Sequence, residues 1–295
     1  MKSSFEWERR IYCPCCFSSR RKTKFSMKFS EPKVFNFIEK YYGGKIKKEF
    51  FGNTRFTIFS CSNCSLVYQE NILTDQSAEL FYEEYISKKA SLNKRTDATL
   101  DYYIKLNKSV SNLLNFKLNE TANKIKVLDF GMGWGHWVRA ASAHGIDAFG
   151  AELSKARISY AKSMGVRIID INSKEWFSSF DFINTDQVFE HVSHPPDILK
   201  KLKKLMKPRG IIKIFVPNGN YDSIRLNINR FQVGKNSLHP IEHINSFNRR
   251  ALFSMMKNHG FIPIKILDKR VANSLIRNIF GFPLRRPSWY FELND

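Results

Sequence analysis

The chain has 295 residues, enough for one medium domain and a small one. A hydrophobic fraction of 43% with 25% charged residues describes a folded globular chain and excludes a disordered or low-complexity one. No apolar run approaches the roughly 20 residues of a membrane span, and the first residues lack the apolar core of a secretory signal, so a cytoplasmic location is expected. The net charge of +21 is uneven: residues 1–75 carry 14 basic and 7 acidic side chains, residues 76–195 carry 15 and 14, and residues 196–295 carry 19 and 6. A basic C-terminal third suits an anionic partner such as a sugar nucleotide, a phosphorylated glycan or RNA; solvated lysines alone would give the same statistic.

All five cysteines lie in the first 64 residues. Cys13-Pro14-Cys15-Cys16 and Cys61-Ser62-Asn63-Cys64 each contain a C-x-x-C pair. Together Cys13, Cys16, Cys61 and Cys64 offer four thiolates to one Zn²⁺, with no coordination position left open, so the metal is expected to be structural. Cys15 is a spare thiol or exchanges with Cys16. Two disulfides would suit an oxidising compartment instead, and a redox pair would not need a second copy. Strand-like runs, Arg55–Phe59 and Leu66–Tyr68, flank the second pair. Between the pairs, Pro32–Tyr42 has helical apolar spacing, and Lys45–Phe51 with Gly52-Asn53 predicts a hairpin. Residues 1–75 are therefore expected to form a zinc ribbon with an insert.

Residues 76–120 read as a helical lead-in to a second domain spanning 76–295. Tyr82, Tyr85, Tyr102 and Tyr103 there read as packing residues or as the lining of a ligand pocket. Val127–Gly135 follows, an apolar strand ending in Asp129 and entering a turn with glycine at 131, 133 and 135. His136–His144 is a predicted helix closed by Gly145. Ala148–Glu152 is the next strand, Ser154 an expected helix cap, Val166–Ile169 a third strand followed by Asp170, and Phe180–Thr185 a fourth followed by Asp186-Gln187. Pro195-Pro196 opens a helix, Ile211–Val216 is strand five, Asn248–His259 a helix and Phe261–Leu267 strand six. Strands alternating with helices predict a doubly wound, Rossmann-like α/β sheet. A helix over 272–280 is expected, and Ser288–Glu292 reads as a seventh, antiparallel strand that closes the sheet edge.

The glycine turn discriminates between nucleotides. A dinucleotide fingerprint places its third glycine at 136, where this chain has histidine. Glu152, at the end of strand two, can accept hydrogen bonds from ribose hydroxyls of either ligand. From Lys124 to Leu267 the chain resembles class I S-adenosylmethionine-dependent methyltransferases, including the ubiquinone O-methyltransferase-like type. The resemblance rests on Val127–Gly135, Ala148–Ser154, Thr185–His191, Pro195–Pro217 and His243–Phe261, in that order. The cysteine pairs with Leu66-Val67-Tyr68 resemble the zinc ribbon of a subset associated with sugar and cell-surface polysaccharide methylation.

The resemblance implies a seven-stranded methyltransferase sheet and a role for each matching residue. Gly131 and Gly133 would approach the methionine part of S-adenosylmethionine, and Asp129 would orient the loop and the amino group. Glu152 would hold the ribose, Leu153 flank the adenine, and Asp170 with Ile171 contact the adenine ring. Asp186 and Gln187 would face the methionine or the sulfonium. A hydroxyl acceptor also needs a base, and imidazole is suited to that near neutrality. His191, His239 and His243 are near the relevant sheet edge, with His191 and His243 preferred; His194 reads as a cap. Ubiquinone-type enzymes carry E-x-x-E-H, linked with a divalent metal. This chain has Gln187 at the first position, which argues against an active-site metal. The expected activity is O-methylation of a sugar or glycan-linked small molecule, with an anionic acceptor. The alternatives are an RNA methyltransferase that grips nucleic acid with its ribbon, and an inactive S-adenosylmethionine-binding module.

Overall fold

The computed structural model describes residues 5–114, 120–219, 237–264 and 288–294. The expected helix over 272–280 and the end of strand six lie outside these residues. The chain divides into two compact units, neither continuous in sequence. One comprises Met1–Ser91, Gln187–Leu199 and Val216–His259; the other comprises Leu92–Asp186, Lys200–Phe215 and Gly260–Asp295.

The first unit is built on short antiparallel strands. Strand β1 (Trp7–Arg9) pairs with β5 (Asn71–Leu73). A four-stranded sheet has the order β10-β4-β3-β2, with β2 Arg21–Lys28, β3 Arg55–Cys61, β4 Val67–Gln69 and β10 Asn245–Ser246. Helix α1 (Pro32–Tyr41) starts with proline in its first turn and buries Val34, Phe35, Phe37 and Ile38, the face its spacing predicts. The hairpin expected at Lys45–Phe51 is not formed; Lys48–Phe51 makes a single 3₁₀ turn, and Gly52 (φ 51°) redirects the chain into β3. A strand would send Phe50 and Phe51 to opposite faces. Instead both join one aromatic cluster, with Phe51 stacked on Phe29 at 4.7 Å and Phe50 tilted against Phe5 at 4.3 Å. Helix α2 (Asp75–Glu84) is capped by the Thr74 hydroxyl, which accepts from the Ser77 N–H, and the short helix α3 (Lys88–Thr96) follows it. Helix α8 (Arg249–Asn258) is capped by Asn248, whose side chain accepts from the Ala251 N–H at 2.9 Å.

The second unit holds a six-stranded sheet in the order β11-β12-β9-β8-β6-β7. Strands β6 (Lys126–Phe130), β7 (Asp147–Ala151), β8 (Phe180–Asp186) and β9 (Met206–Phe215) are parallel neighbours. Val127–Asp129, Phe180–Thr185 and Gly210–Ile214 are continuous buried runs, in the manner of a sheet covered on both faces. Strand β12 (Trp289–Leu293) is antiparallel as expected, yet it does not close an edge. It lies between β9 and β11 (Phe261–Ile264) and leaves β11 outermost. The strand expected at Val166–Ile169 is reduced to a parallel bridge between Ile168 and Gly150. Helices α4 (Leu100–Leu114), α5 (His136–Ala143) and α6 (Lys155–Ser163) carry the connections, and Pro195–Leu205 forms α7. Val110 and Leu113 of α4, Trp137 and Val138 of α5, and Val127 of β6 share the core.

Candidate active site

In the sheet unit the turn after β6 is shaped by three left-handed glycines, Gly131 (φ 72°), Gly133 (φ 56°) and Gly135 (φ 77°). Their uses differ. A Cβ at Gly133 would meet nothing within 4 Å, so this position faces open space. A Cβ at Gly135 would press on Val166 Cγ2 at 3.0 Å and Ala161 Cβ at 3.2 Å, so this glycine serves close packing. The turn is tied to β7 by the N–H groups of Gly131 and Met132, both of which donate to the Ala151 carbonyl.

Glu152 sits where β7 ends and α6 begins. Its Oε1 accepts from the backbone N–H groups of Leu153 (2.9 Å) and Ser154 (3.1 Å), and its Oε2 accepts from Gly133 N–H (3.0 Å), with Arg157 Nη1 at 3.6 Å. The expected Ser154 side-chain cap makes no capping bond; the glutamate does that work, because an anion at a helix N-terminus finds unpaired N–H groups. Leu153, at the tip, is 85% exposed. Asp170 is exposed and accepts from the Asn172 N–H at 2.9 Å and its side-chain amide at 3.0 Å, an Asx turn.

Asp129 is buried near the end of β6 and accepts from Asn184 Nδ2 at 2.7 Å. Burial pushes its carboxyl up to about 7, while the Asn184 hydrogen bond and the Lys213 charge pull it down and Asp186 and Glu152 push it up. Asp186, the last residue of β8, is exposed.

In the other unit, the four expected zinc ligands converge: the Sγ atoms of Cys13, Cys16, Cys61 and Cys64 all lie within 4.8 Å of one another. The pairs at 3.6 Å, Cys13 with Cys64 and Cys16 with Cys61, are too far apart for disulfides. Each knuckle turns through a left-handed residue directly after its second cysteine, Phe17 (φ 56°) and Ser65 (φ 68°). The N–H groups of Asn63 and Cys64 point at Cys61 Sγ, as befits a thiolate acceptor. Cys15 is not among the four converging thiols and its Sγ contacts the Ala251 carbonyl at 3.6 Å, so it is the spare thiol.

The same unit gathers both preferred histidines. His191 Nδ1 lies 2.8 Å from the Tyr82 hydroxyl and 2.9 Å from the Glu242 carbonyl. The His191 and His243 rings are 4.8 Å apart, and His191 Nε2 is 4.0 Å from Glu190 Oε1. Glu190, His191 and His243 offer ligand atoms within 4.8 Å of one another, a set with the donor chemistry for a divalent ion. Gln187 is held at a left-handed φ of 59°, a strain that a side chain accepts only where its surroundings fix it. His239 is packed among Phe37, Tyr41 and Tyr42, and burial lowers its imidazole to about 3, with the His243 charge adding to the effect. It is a neutral core residue. Tyr82 was legible only as one tyrosine among several; its hydroxyl bond to a residue 109 positions away has no local signal.

Residues 102–266 match the family model of a methyltransferase domain, more than half of the chain. The chain belongs to this methyltransferase family. Among solved structures, the plantazolicin methyltransferase BpumL in complex with SAH aligns with a TM-score of 0.51 at 16% identity, covering 74% of this chain and 94% of that one. The same protein with a monoazolic desmethylPZN analog and SAH also gives 0.51 at 16% identity, over the same 74% and 94%. The Burkholderia thailandensis 1,6-didemethyltoxoflavin-N1-methyltransferase, bound to 1,6-didemethyltoxoflavin and S-adenosylhomocysteine, aligns at 0.47 and 15% identity, over 75% and 90%. No curated protein matches the sequence. The family match makes the chain a methyltransferase. No helix among its described residues is long and apolar enough to cross a membrane.

Proposed function

We propose that the enzyme methylates a hydroxyl of a sugar or glycan-linked small molecule, in the cytoplasm, for cell-surface polysaccharide assembly. The observation that carries the hydroxyl is the setting of His191. A carbonyl can only accept, so the Glu242 oxygen requires the proton on Nδ1 and leaves the Nε2 lone pair as a base. Glu190, 4.0 Å from Nε2, favours the imidazolium that forms when the base takes a proton. Tyr82 and His243 fix the ring from two other sides. The sugar is supported by the ribbon resemblance and by the basic C-terminal third.

S-adenosylmethionine supplies an already activated methyl group, so the protein's task is to hold the donor, align an acceptor and remove its proton. On this reading Asp129, Gly131 and Gly133 serve the methionine part, Leu153 and Asp170 the adenine, and Asp186 and Gln187 the sulfonium end. Glu152 serves the ribose. Its Oε1 accepts two N–H groups and its Oε2 one, from Gly133, so Oε2 keeps an acceptor position for a hydroxyl. Cys13, Cys16, Cys61 and Cys64 hold one structural zinc ion; four thiols without disulfide geometry, approached by backbone N–H groups, have the donor set that Zn²⁺ takes. Residues 1–75 form the ribbon domain and 76–295 the methyltransferase domain in this assignment.

The test is mass spectrometry of nucleotide sugars and lipid-linked glycans incubated with the enzyme and S-adenosylmethionine. A one-methyl gain on a sugar hydroxyl, lost in His191→Asn, is the expected result. Methyl transfer confined to amines or peptides would overturn the acceptor assignment.

A further inference from the structure

Lysine is out of place in β9. It interrupts Ile211-Ile212-Lys213-Ile214-Phe215, and the Lys213 side chain is buried to 4% exposure. A buried ammonium is costly unless its donors are met, and a leucine or methionine would fill the same space without that cost. The sheet register shows what the lysine serves. Asp129 on β6 is directly opposite Asn184 on β8, and Asn184 is directly opposite Lys213 on β9. Three polar side chains thus form a row across three adjacent parallel strands.

The row has a direction. Lys213 Nζ donates to Asn184 Oδ1 at 2.9 Å and to Ser109 Oγ at 3.2 Å. The same Ser109 oxygen accepts from Trp137 Nε1 at 3.3 Å, which anchors the far end. An ammonium can only donate, so the amide oxygen must face it. The amide nitrogen then faces Asp129 and donates to Oδ1 at 2.7 Å. Lysine and carboxylate select the same orientation from opposite ends: a reversed amide would set its oxygen against the Asp129 oxygen and its nitrogen against the Lys213 ammonium. The charged groups acting on Asp129 are Lys213 from β9, Asp186 from the end of β8 and Glu152 from the end of β7. Two of the three are anions, so Lys213 is the cation that offsets them.

We propose that Lys213 is a positioning residue of the methyltransferase: through Asn184 it fixes the Asp129 carboxylate as an oriented acceptor for the cationic amino group of S-adenosylmethionine. This rests on the assignment of Asp129 to the amino-acid end of the methyl donor. Lys213 touches neither donor nor acceptor in this role. It acts on one end of the donor only, and that separates it from a lysine that merely stabilises the sheet.

Calorimetry with two probes makes the distinction. S-adenosylhomocysteine carries the amino group; 5′-methylthioadenosine shares the adenosine and sulfur and lacks the amino-acid half. Lys213→Met is expected to weaken S-adenosylhomocysteine binding at least about tenfold, as losing a charge-assisted hydrogen bond does, and to change methylthioadenosine binding less than about twofold. Its affinity for S-adenosylhomocysteine should also begin to fall at a higher pH than in the native enzyme, because Asp129 keeps its two anionic neighbours and loses the cation. Asn184→Ala should show the same probe selectivity while retaining the lysine, and carries the test should Lys213→Met not fold. Equal losses for both probes, or no loss for either, would overturn the proposal. Failure of the Asp129 assignment looks different: Asp129→Ala would then bind S-adenosylhomocysteine as the native enzyme does.

Discussion

The glycine-turn region and the cysteine–histidine region concentrate polar groups in opposite ways. Around Asp129 and Glu152 the partners are close in sequence or in sheet register, and much of the work falls to backbone N–H groups. Around Cys13 and His191 the partners come from segments far apart in the chain: Cys13 meets Cys64, Tyr82 meets His191, and His191 meets His243. A site assembled from one turn is held by local geometry. A site assembled from distant segments needs a separate source of order, and in the second region four converging thiols are available to supply it.

Removing that source is the most severe way to break the comparison. Cys61→Ser, or a strong chelator, is expected to abolish the cooperative melt of the cysteine-bearing unit, since a structural zinc contributes on the order of 10 kcal/mol. Elemental analysis should find one zinc per chain, and a metal-free protein with an unchanged melt would remove the assignment. The histidine cluster comes next. His191→Asn should lower kcat about 10²- to 10⁴-fold with little change in cofactor affinity, the range for loss of a general base. Tyr82→Phe keeps the ring and should cost less, about tenfold in kcat, roughly the 1.4 kcal/mol of one hydrogen bond.

Smaller effects sharpen the contrast from the turn's side. The folded state holds the Asp129 carboxyl up at about 7, against 3.8 for the free group. The unfolded chain therefore ionises this group first, and stability is lost as pH rises from about 4 to about 7 and stays lower above that. Asp129→Asn is expected to raise thermal stability at pH 8, by on the order of 2 kcal/mol, and to change it little at pH 4, while binding of S-adenosylhomocysteine weakens. Melts at the two pH values check the sign; equal shifts at both would contradict the buried-carboxyl account. The smallest effect separates two glycines. Gly135→Ala should destabilise by about 1–3 kcal/mol through crowding of Val166 and Ala161, whereas Gly133→Ala meets only the left-handed φ cost of about 1 kcal/mol. Chemical denaturation of both variants measures the difference.

The contrast also explains which parts were legible in the sequence. The turn, its carboxylates and the parallel strands follow from short-range patterns: glycine at alternate positions, an acid at each strand end and helices between strands. The cysteine pairs were legible because C-x-x-C spacing fixes ligand geometry within each knuckle. The Tyr82–His191 bond and the Glu190–His191–His243 grouping were not, because the partners lie far apart in the sequence and nothing local marks them. The Lys213–Asn184–Asp129 row lies between these cases. A lysine inside an isoleucine strand is a visible anomaly, but only the strand register shows that it faces Asn184. Aromatic crowding at Phe50 and Phe51 overrode the strand expected before the Gly52-Asn53 turn, and the insertion of β12 beside β9 overrode the expectation of an edge strand.

The central claim is that the glycine turn and the carboxylate of Glu152 form the donor site. Titration of the native enzyme with S-adenosylhomocysteine, repeated with Glu152→Ala, tests it most directly. The account predicts one site per chain in the native enzyme and an affinity about 10- to 100-fold weaker in the variant, the size of one to two lost charge-assisted hydrogen bonds. No binding by the native enzyme, or equal binding by both proteins, would contradict it.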